Sequence, residues 1–273
     1  VKDKYADLIQ RIGRPVLVFI DNLDRCKPEY VVELLEGIQT VFGDVRVTYL
    51  VAADREWIAH TAKALGQEVG WLKIGLEAFV GHGPALVREL TEDNAKIFLD
   101  LKLHDIPITV ERAAANAAAS GARMLTVHAS GGRRMLSAAM DGARRRRNET
   151  RMLVVAVTVL TSLDSSDLVE LGYSHSAPDT VIRWAAMAKQ SGVDGVVASP
   201  QEAAAIRQEC GEDFLIVTPG VRPVWHGSDD QRRTLTPSEA VSAGADVLVV
   251  GRPITRADAP VEAARRIMAE MDG

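Results

Sequence analysis

The stretch Phe98-Leu99-Asp100-Leu101-Lys102-Leu103-His104-Asp105-Ile106-Pro107 sets two opposite charges inside an otherwise apolar run of strand-like composition. Asp100 and Lys102 are two residues apart, so on a strand they point to the same face. Lys73 stands near the end of a second apolar run, Trp71-Leu72-Lys73-Ile74-Gly75. If the two runs are neighbours in one sheet, Lys73, Asp100 and Lys102 meet at one strand end, with Asp105 in the loop beyond. A salt-bridge cluster at a rim is the structural alternative. Desolvation makes buried ion pairs poor stabilisers, so their presence on apolar strands argues for chemistry.

Working outward, short runs rich in Val, Ile and Leu recur at Val47–Ala53, Gly70–Gly75, Lys96–Lys102, Arg123–Ala129, Met152–Leu160, Val193–Ser199, Phe214–Gly220 and Asp246–Gly251. Most lack polar alternation, the pattern of strands buried on both faces. Ala-rich helical stretches such as Thr109–Ser120 and Thr180–Gln190 lie between them. Eight strands, each followed by a helix, fit a TIM (β/α)8 barrel. Periodicity by itself does not separate this from an open doubly wound sheet, though the pattern favours the barrel.

The barrel makes two demands: chemistry at the C-terminal strand ends, and a phosphate site after the last two strands. The seventh run leads into Thr218-Pro219-Gly220-Val221-Arg222-Pro223 and the eighth into Gly251-Arg252-Pro253-Ile254. Glycine lets backbone approach an anion closely, and each loop adds an arginine suited to bidentate phosphate contact. Singly, each loop reads as a Gly-Pro turn. Together, in these two places, they point to a phosphate.

Bulk properties narrow the classes further. The chain has 273 residues and a formal charge of −5, which speaks against a general nucleic-acid binder. It contains no apolar run long enough to span a bilayer and no secretory signal is read, so a cytoplasmic protein without membrane contact is expected. Cys26 and Cys210 follow no metal or redox spacing and read as reduced thiols. A chain opening on Val1 is expected to be a piece of a longer reading frame. Arg144–Arg147 reads as a solvated helix C-terminus favoured by the helix dipole. Gly81-His82-Gly83-Pro84 reads as a helix-start loop, and Pro223–Gln231 as a mobile lid. His128 reads either as lining the mouth or as a hydrogen-bonded core residue, and His104 as supporting packing.

The segment Asp100-x-Lys102-x-x-Asp105-Ile106-Pro107-x-Thr109 resembles the signature of the orotidine 5′-phosphate decarboxylase family, bacterial branch. So do Gly70–Gly75, Thr126-Val127-His128-Ala129-Ser130-Gly131-Gly132, Val157–Ser162, Ser199–Glu202, Thr218–Pro223 and Val249–Thr255, in order over residues 47–273. The resemblance implies decarboxylation of orotidine monophosphate to UMP and CO2 in pyrimidine biosynthesis, with no cofactor and no metal. It implies Lys102 as proton donor to C6 and Asp100 against the departing carboxylate. Lys73 and Asp105 would complete an alternating Lys-Asp-Lys-Asp array. It also implies a homodimer, with Asp105, Ile106 and Thr109 serving the partner's site. Thr161 and Ser162 would contact the pyrimidine, and Arg222, Gln231, Gly251 and Arg252 the phosphate. Three rivals remain: a magnesium-dependent sugar-phosphate decarboxylase of the same superfamily, an impaired barrel that only binds nucleotide, and an NTPase fragment whose role is partner binding.

Residues 1–46 do not share the resemblance and are expected to form an extension. Val16-Leu17-Val18-Phe19-Ile20-Asp21-Asn22-Leu23-Asp24-Arg25-Cys26 resembles the Walker B strand of KAP-type P-loop NTPases, a likeness running on to about residue 56. It would set Asp21 near magnesium, yet no G-x-x-x-x-G-K-[ST] loop occurs in the chain. The expected reading is a fused NTPase fragment outside the barrel. Val47–Ala53 would take the first barrel slot, and Asp54 the role of the first-strand aspartate that contacts ribose.

Overall fold

The computed structural model describes residues 16–20, 47–51, 55–65, 69–92, 95–145, 151–225, 235–255 and 257–271, and side chains from Ile58 onward. The chain divides into two compact units, Val1–His60 and Thr61–Gly273. In the first, β1 (Val16–Ile20) and β2 (Val47–Val51) pair in parallel, from Val16 against Val47 to Ile20 against Val51. Helix α1 (Arg55–Leu65) follows.

The second unit alternates strand and helix: β3 (Leu72–Gly75), α2 (Leu76–Glu92), β4 (Ile97–Leu103), α3 (Pro107–Ala119), β5 (Met124–His128), α4 (Gly132–Arg144) and β6 (Leu153–Val157). It continues with α5 (Ser165–Glu170), α6 (Ala177–Gln190), β7 (Gly195–Val197), α7 (Ala203–Cys210), β8 (Leu215–Pro219), α8 (Pro237–Ser242), β9 (Val247–Val249), α9 (Arg252–Thr255) and α10 (Pro260–Met271). The seven strands are all parallel and hydrogen-bonded in chain order, β3 through β9. That order removes the ambiguity left by the sequence. A doubly wound sheet reverses direction at a switch point, whereas crossovers of one hand with no reversal lay every helix on one face. The other face can then be buried only by curling on itself. Phe98, Met124, Val155 and Val217 form one buried cluster joined by Trp71, Leu153, Val197, Val247 and Val249, so the first and last strands of the sheet share an interior. The sheet is a nearly closed barrel.

Alternate residues Ile97, Leu99, Leu125, Val127, Val154, Ala156, Val196 and Ile216 are fully buried on the opposite face. The helices add Leu86, Val87, Val110, Leu136, Ala139, Val181, Ala185 and Ile206. Burial on both faces is why the strands read as unbroken apolar runs. The strands are shorter than the runs, because apolar residues continue past the last ladder bond into the loops. Helix α3 starts at Pro107, where the missing N–H costs nothing. Helix α2 breaks at Gly83 (φ 64°), and Pro84 opens its second segment, as the Gly-His-Gly-Pro stretch suggested. At the N-terminal strand ends, Asp194 accepts from the Val154 N–H and pairs with Arg151, while Asp246 accepts from the Ile216 N–H and pairs with Arg207. Arg144 and Arg145 at the end of α4 pair with Asp141 and Glu111, consistent with a solvated helix terminus.

Within the first unit, Val47–Val51 is bonded to Val16–Ile20. The two segments pair in register, five residues against five, each strand satisfying the backbone groups that face the other. Among the described residues of the second unit the barrel ladder holds seven strands.

The close approach of α3 and α4 depends on Gly142, where an added Cβ would lie 2.1 Å from the Glu111 carbonyl oxygen and 2.9 Å from Ala114 Cβ. Backbone cannot rotate away as a side chain can. Gly142→Ala should destabilise the protein by about 1–3 kcal/mol, the usual cost of overpacking, seen as a lower urea midpoint at unchanged slope.

Candidate active site

Strand β4 carries the site. Phe98 points into the interior cluster, and Asp100, two residues on, points the same way at the next level up. Its carboxylate meets Lys102 Nζ at 2.8 Å through Oδ1 and Lys73 Nζ at 3.2 Å through Oδ2. The side chain of Asp100 is 13% exposed, against 33% for Lys73 and 36% for Lys102. The cluster thus holds one sunken anion between two partly open cations, a net charge of +1. Burial alone would push the Asp100 carboxyl upward. The Lys102 hydrogen bond, the charges of Lys73 and Lys102 and the Thr126 hydroxyl outweigh it and hold the group below the usual carboxylate value.

The alternation that set Asp100 and Lys102 on one face is not what brings them together. Between Leu99, opposite Leu125, and Leu103, opposite Val127, β4 spends three residues where β5 spends one. Lys102 takes φ 51°, a left-handed conformation that costs a non-glycine residue about 1–2 kcal/mol. The bulge re-aims the ammonium onto Asp100. Thr126, the residue opposite the bulge, is fully buried. It accepts the Lys102 backbone N–H at 2.8 Å and donates to Asp100 Oδ1 at 3.0 Å. Sequence reading gave Thr126 no role. A polar residue at the inward parity of an otherwise apolar strand, between Met124 and His128, was the available signal.

A cavity of about 180 Å³ opens above the cluster. Its walls are mostly apolar, with Phe98, Val157, Val197, Pro219 and Val249 from five strands or their ends, and Asp100, Lys102 and Thr161 supply its polar groups. Apolar walls keep water away and strengthen the field of the cations. A more open cavity of about 340 Å³, lined by residues such as Lys189, Asp194 and Glu212, lies at the N-terminal strand ends. Its lysine is already bound to the Cys210 carbonyl. In barrels of this kind chemistry sits at the opposite, C-terminal end.

The remaining expected residues divide. Ser162 is exposed next to Thr161 and is not part of the cavity wall. Residues 104–109 form an unbroken exposed stretch, with Ile106 62% exposed. There Asp105 accepts its neighbour's N–H, that of Ile106, at 2.6 Å, and its carboxylate does not join the Lys73–Asp100–Lys102 cluster. Thr109 lies on the first turn of α3, in the same exposed stretch. Arg222 follows Gly220 (φ 80°) and is anchored through its N–H to the Leu235 carbonyl. Gly251 is exposed and its carbonyl accepts from Ile254 and Thr255, while Arg252 opens the short α9. These two loops leave β8 and β9 just beyond Pro219 and Val249 of the cavity wall. Asp54, Gln231 and Asp21 lie outside the described residues, as does Cys26; most of the expected lid, residues 226–231, does too. Cys210 is a buried free thiol. His128 ends β5 half-buried, its ring 5.5 Å from that of His104. Burial first, then the neighbouring His104 and Lys102, depresses its pKa. No helix among the described residues is long and apolar enough to cross a membrane.

A parallel α/β barrel with opposed charges at the C-terminal mouth of an apolar cavity defines an enzyme-type site. Residues 48–267 match the family model described as Orotidine 5′-phosphate decarboxylase / HUMPS family. Orotidine 5′-phosphate decarboxylase of Geotalea daltonii is 47% identical over 211 residues, 77% of this chain and 88% of that protein. Among solved structures, an uncharacterized conserved protein from Geobacillus kaustophilus gives a TM-score of 0.71 at 34% identity, covering 94% of this chain and all of that one. Orotidine 5′-phosphate decarboxylase from Lactobacillus acidophilus gives 0.66 at 34% identity, over 95% and 100%. The chain belongs to the orotidine 5′-phosphate decarboxylase / HUMPS family. A second model, the KAP family P-loop domain, matches residues 1–80 and overlaps the first over residues 48–80.

The depressed Asp100 carboxyl has a consequence for stability. A carboxylate whose folded pKa lies below its unfolded value contributes stability above the ordinary carboxylate range, lost as pH falls through the folded value. Urea midpoints of wild type and Asp100→Asn, compared at neutral pH and below about pH 4, should therefore converge in acid. A difference independent of pH would contradict the charge assignment.

Proposed function

We propose that this protein decarboxylates orotidine 5′-phosphate to UMP and CO2, the reaction named for its relatives, as a cytoplasmic step of pyrimidine biosynthesis. The observation that carries the reading is the Lys73–Asp100–Lys102 cluster under an apolar cavity. Loss of CO2 leaves a carbanion at C6 of the pyrimidine. The group that meets it must be positive, fixed and able to deliver a proton. Lys102 fills that role: its ammonium neutralises the developing charge and then protonates C6. Asp100 holds that ammonium in place and stands beside the departing carboxylate. One ammonium at contact contributes roughly 4 kcal/mol at an effective dielectric of 20, about three decades of rate. The remainder comes from preorganisation and from remote binding energy expressed in the transition state. Arg222, Arg252 and the Gly251 backbone would take up the phosphate, joined by Gln231. Thr161 and Ser162 would hold the base, and Asp54 the ribose.

The exposed Asp105, Ile106 and Thr109 suit a homodimer in which they complete the partner's site. The apolar side chains of Ile106 and Ile108 lie open on the surface around them, as an interface would require. Residues 1–46 are read as an NTPase-derived extension to a decarboxylase unit of residues 47–273. The KAP match over residues 1–80 supports the NTPase-derived reading of this extension.

Loss of orotidine monophosphate absorbance tests the reaction directly. Wild type should turn over with EDTA present, and Lys102→Ala should lose at least about three decades of kcat. Mixing Lys102→Ala with Asp105→Ala chains should restore part of the activity, since one hybrid site then has both residues. No turnover by wild type sinks the activity, and no rescue sinks the shared site.

A further inference from the structure

We propose that Thr126 is the positioning residue of this site: its hydroxyl holds the β4 bulge in the shape that brings the Lys102 ammonium onto Asp100. The inference rests on the decarboxylase reading for its kinetic consequences, but its structural basis is independent of the substrate.

In the regular part of β4 odd residues face β5, as the Ile97 carbonyl does in receiving the Arg123 N–H, and even residues face β3, as the Lys96 carbonyl does in receiving that of Leu72; a regular strand would turn the Lys102 N–H to the β3 side. The bulge, in which Asp100, Leu101 and Lys102 all lie opposite the single residue Thr126, turns it toward β5 outside the main-chain ladder. The N–H turns instead to Thr126 Oγ1, 2.8 Å away. A hydroxyl has one proton to give and two lone pairs to receive. Since a backbone N–H can only donate, the hydroxyl proton is left to point elsewhere, and it points to Asp100 Oδ1 at 3.0 Å. The same carboxylate oxygen receives Lys102 Nζ at 2.8 Å. One oxygen atom thus ties the backbone of Lys102, the carboxylate of Asp100 and, through it, the ammonium into a closed loop. Lys102 sits at φ 51°, a conformation that needs outside support to persist in a non-glycine residue. Thr126 is fully buried, so solvent is poorly placed to replace its hydroxyl. Glycine at position 102 would relax the backbone but abolish the ammonium, so the support has to come from across the strand.

The test compares Thr126→Val, which keeps the shape and loses the hydroxyl, with Thr126→Ser, which keeps the hydroxyl. Valine should lower kcat by about 10- to 100-fold, the penalty of a misplaced reacting group, and leave KM within about twofold. It should also move the acid limb of the pH profile upward, since Asp100 loses a bond that favours its charged form. Serine should recover most of kcat. Titration of the Asp100 carboxyl by carbon NMR in ligand-free protein gives a readout that needs no substrate: its pKa should rise in the valine variant and stay near wild type with serine. Valine kcat close to wild type, serine as impaired as valine, or an unmoved Asp100 titration would each overturn the proposal. If valine does not fold, Thr126→Ala replaces it in the same comparison. If wild-type protein shows no decarboxylation, the functional reading fails while the NMR titration still decides this one.

Discussion

The site depends on one carboxylate being held ionised where water is scarce. Asp100 is 13% exposed and faces apolar walls, surroundings that favour a neutral acid. Two ammoniums reverse that preference, and the strand itself is distorted to supply one of them. The order of cause runs from electrostatics to backbone. A regular β4 would carry Lys102 on the same face as Asp100 but one pleat further along. The bulge and the left-handed Lys102 close that distance to 2.8 Å. Such strain survives only on a support that does not yield, and the close-packed interior around Phe98, Met124, Val155 and Val217 provides it.

The two ends of the barrel use charge for different purposes. At the N-terminal ends Asp194 and Asp246 each accept a strand N–H and pair with an arginine, so each carboxylate is answered locally and the ends are stitched. At the C-terminal end one carboxylate faces two lysines, and positive charge is left over toward a cavity. The surplus is what an anionic substrate or a developing carbanion would meet. The same residue types therefore fasten the structure at one end and prepare a field at the other, and the count of opposite partners separates the two uses.

The N-terminal region shows how little separates one parallel strand from another. Val16–Ile20 and Val47–Val51 are both five-residue apolar segments, and they pair with each other in full register. Two family descriptions share residues 48–80. Pattern alone does not choose among ladders that would each satisfy the same backbone groups.

The sequence by itself determined the alternation of strand and helix, the burial of strands on both faces, and the charged pair on β4 with Lys73 one strand away. Those properties are local in the chain: composition, period and spacing carry them. Strand order, which excluded the doubly wound sheet, required the sheet to be assembled, because crossover direction leaves no mark on composition. Nor does composition mark which short apolar segments pair, as Val47–Val51 and Val16–Ile20 do. The bulge at Lys102 and the work of Thr126 were decided only in the tertiary structure, since they exist where β4 and β5 fall out of step, and register between two strands is a property of neither sequence alone.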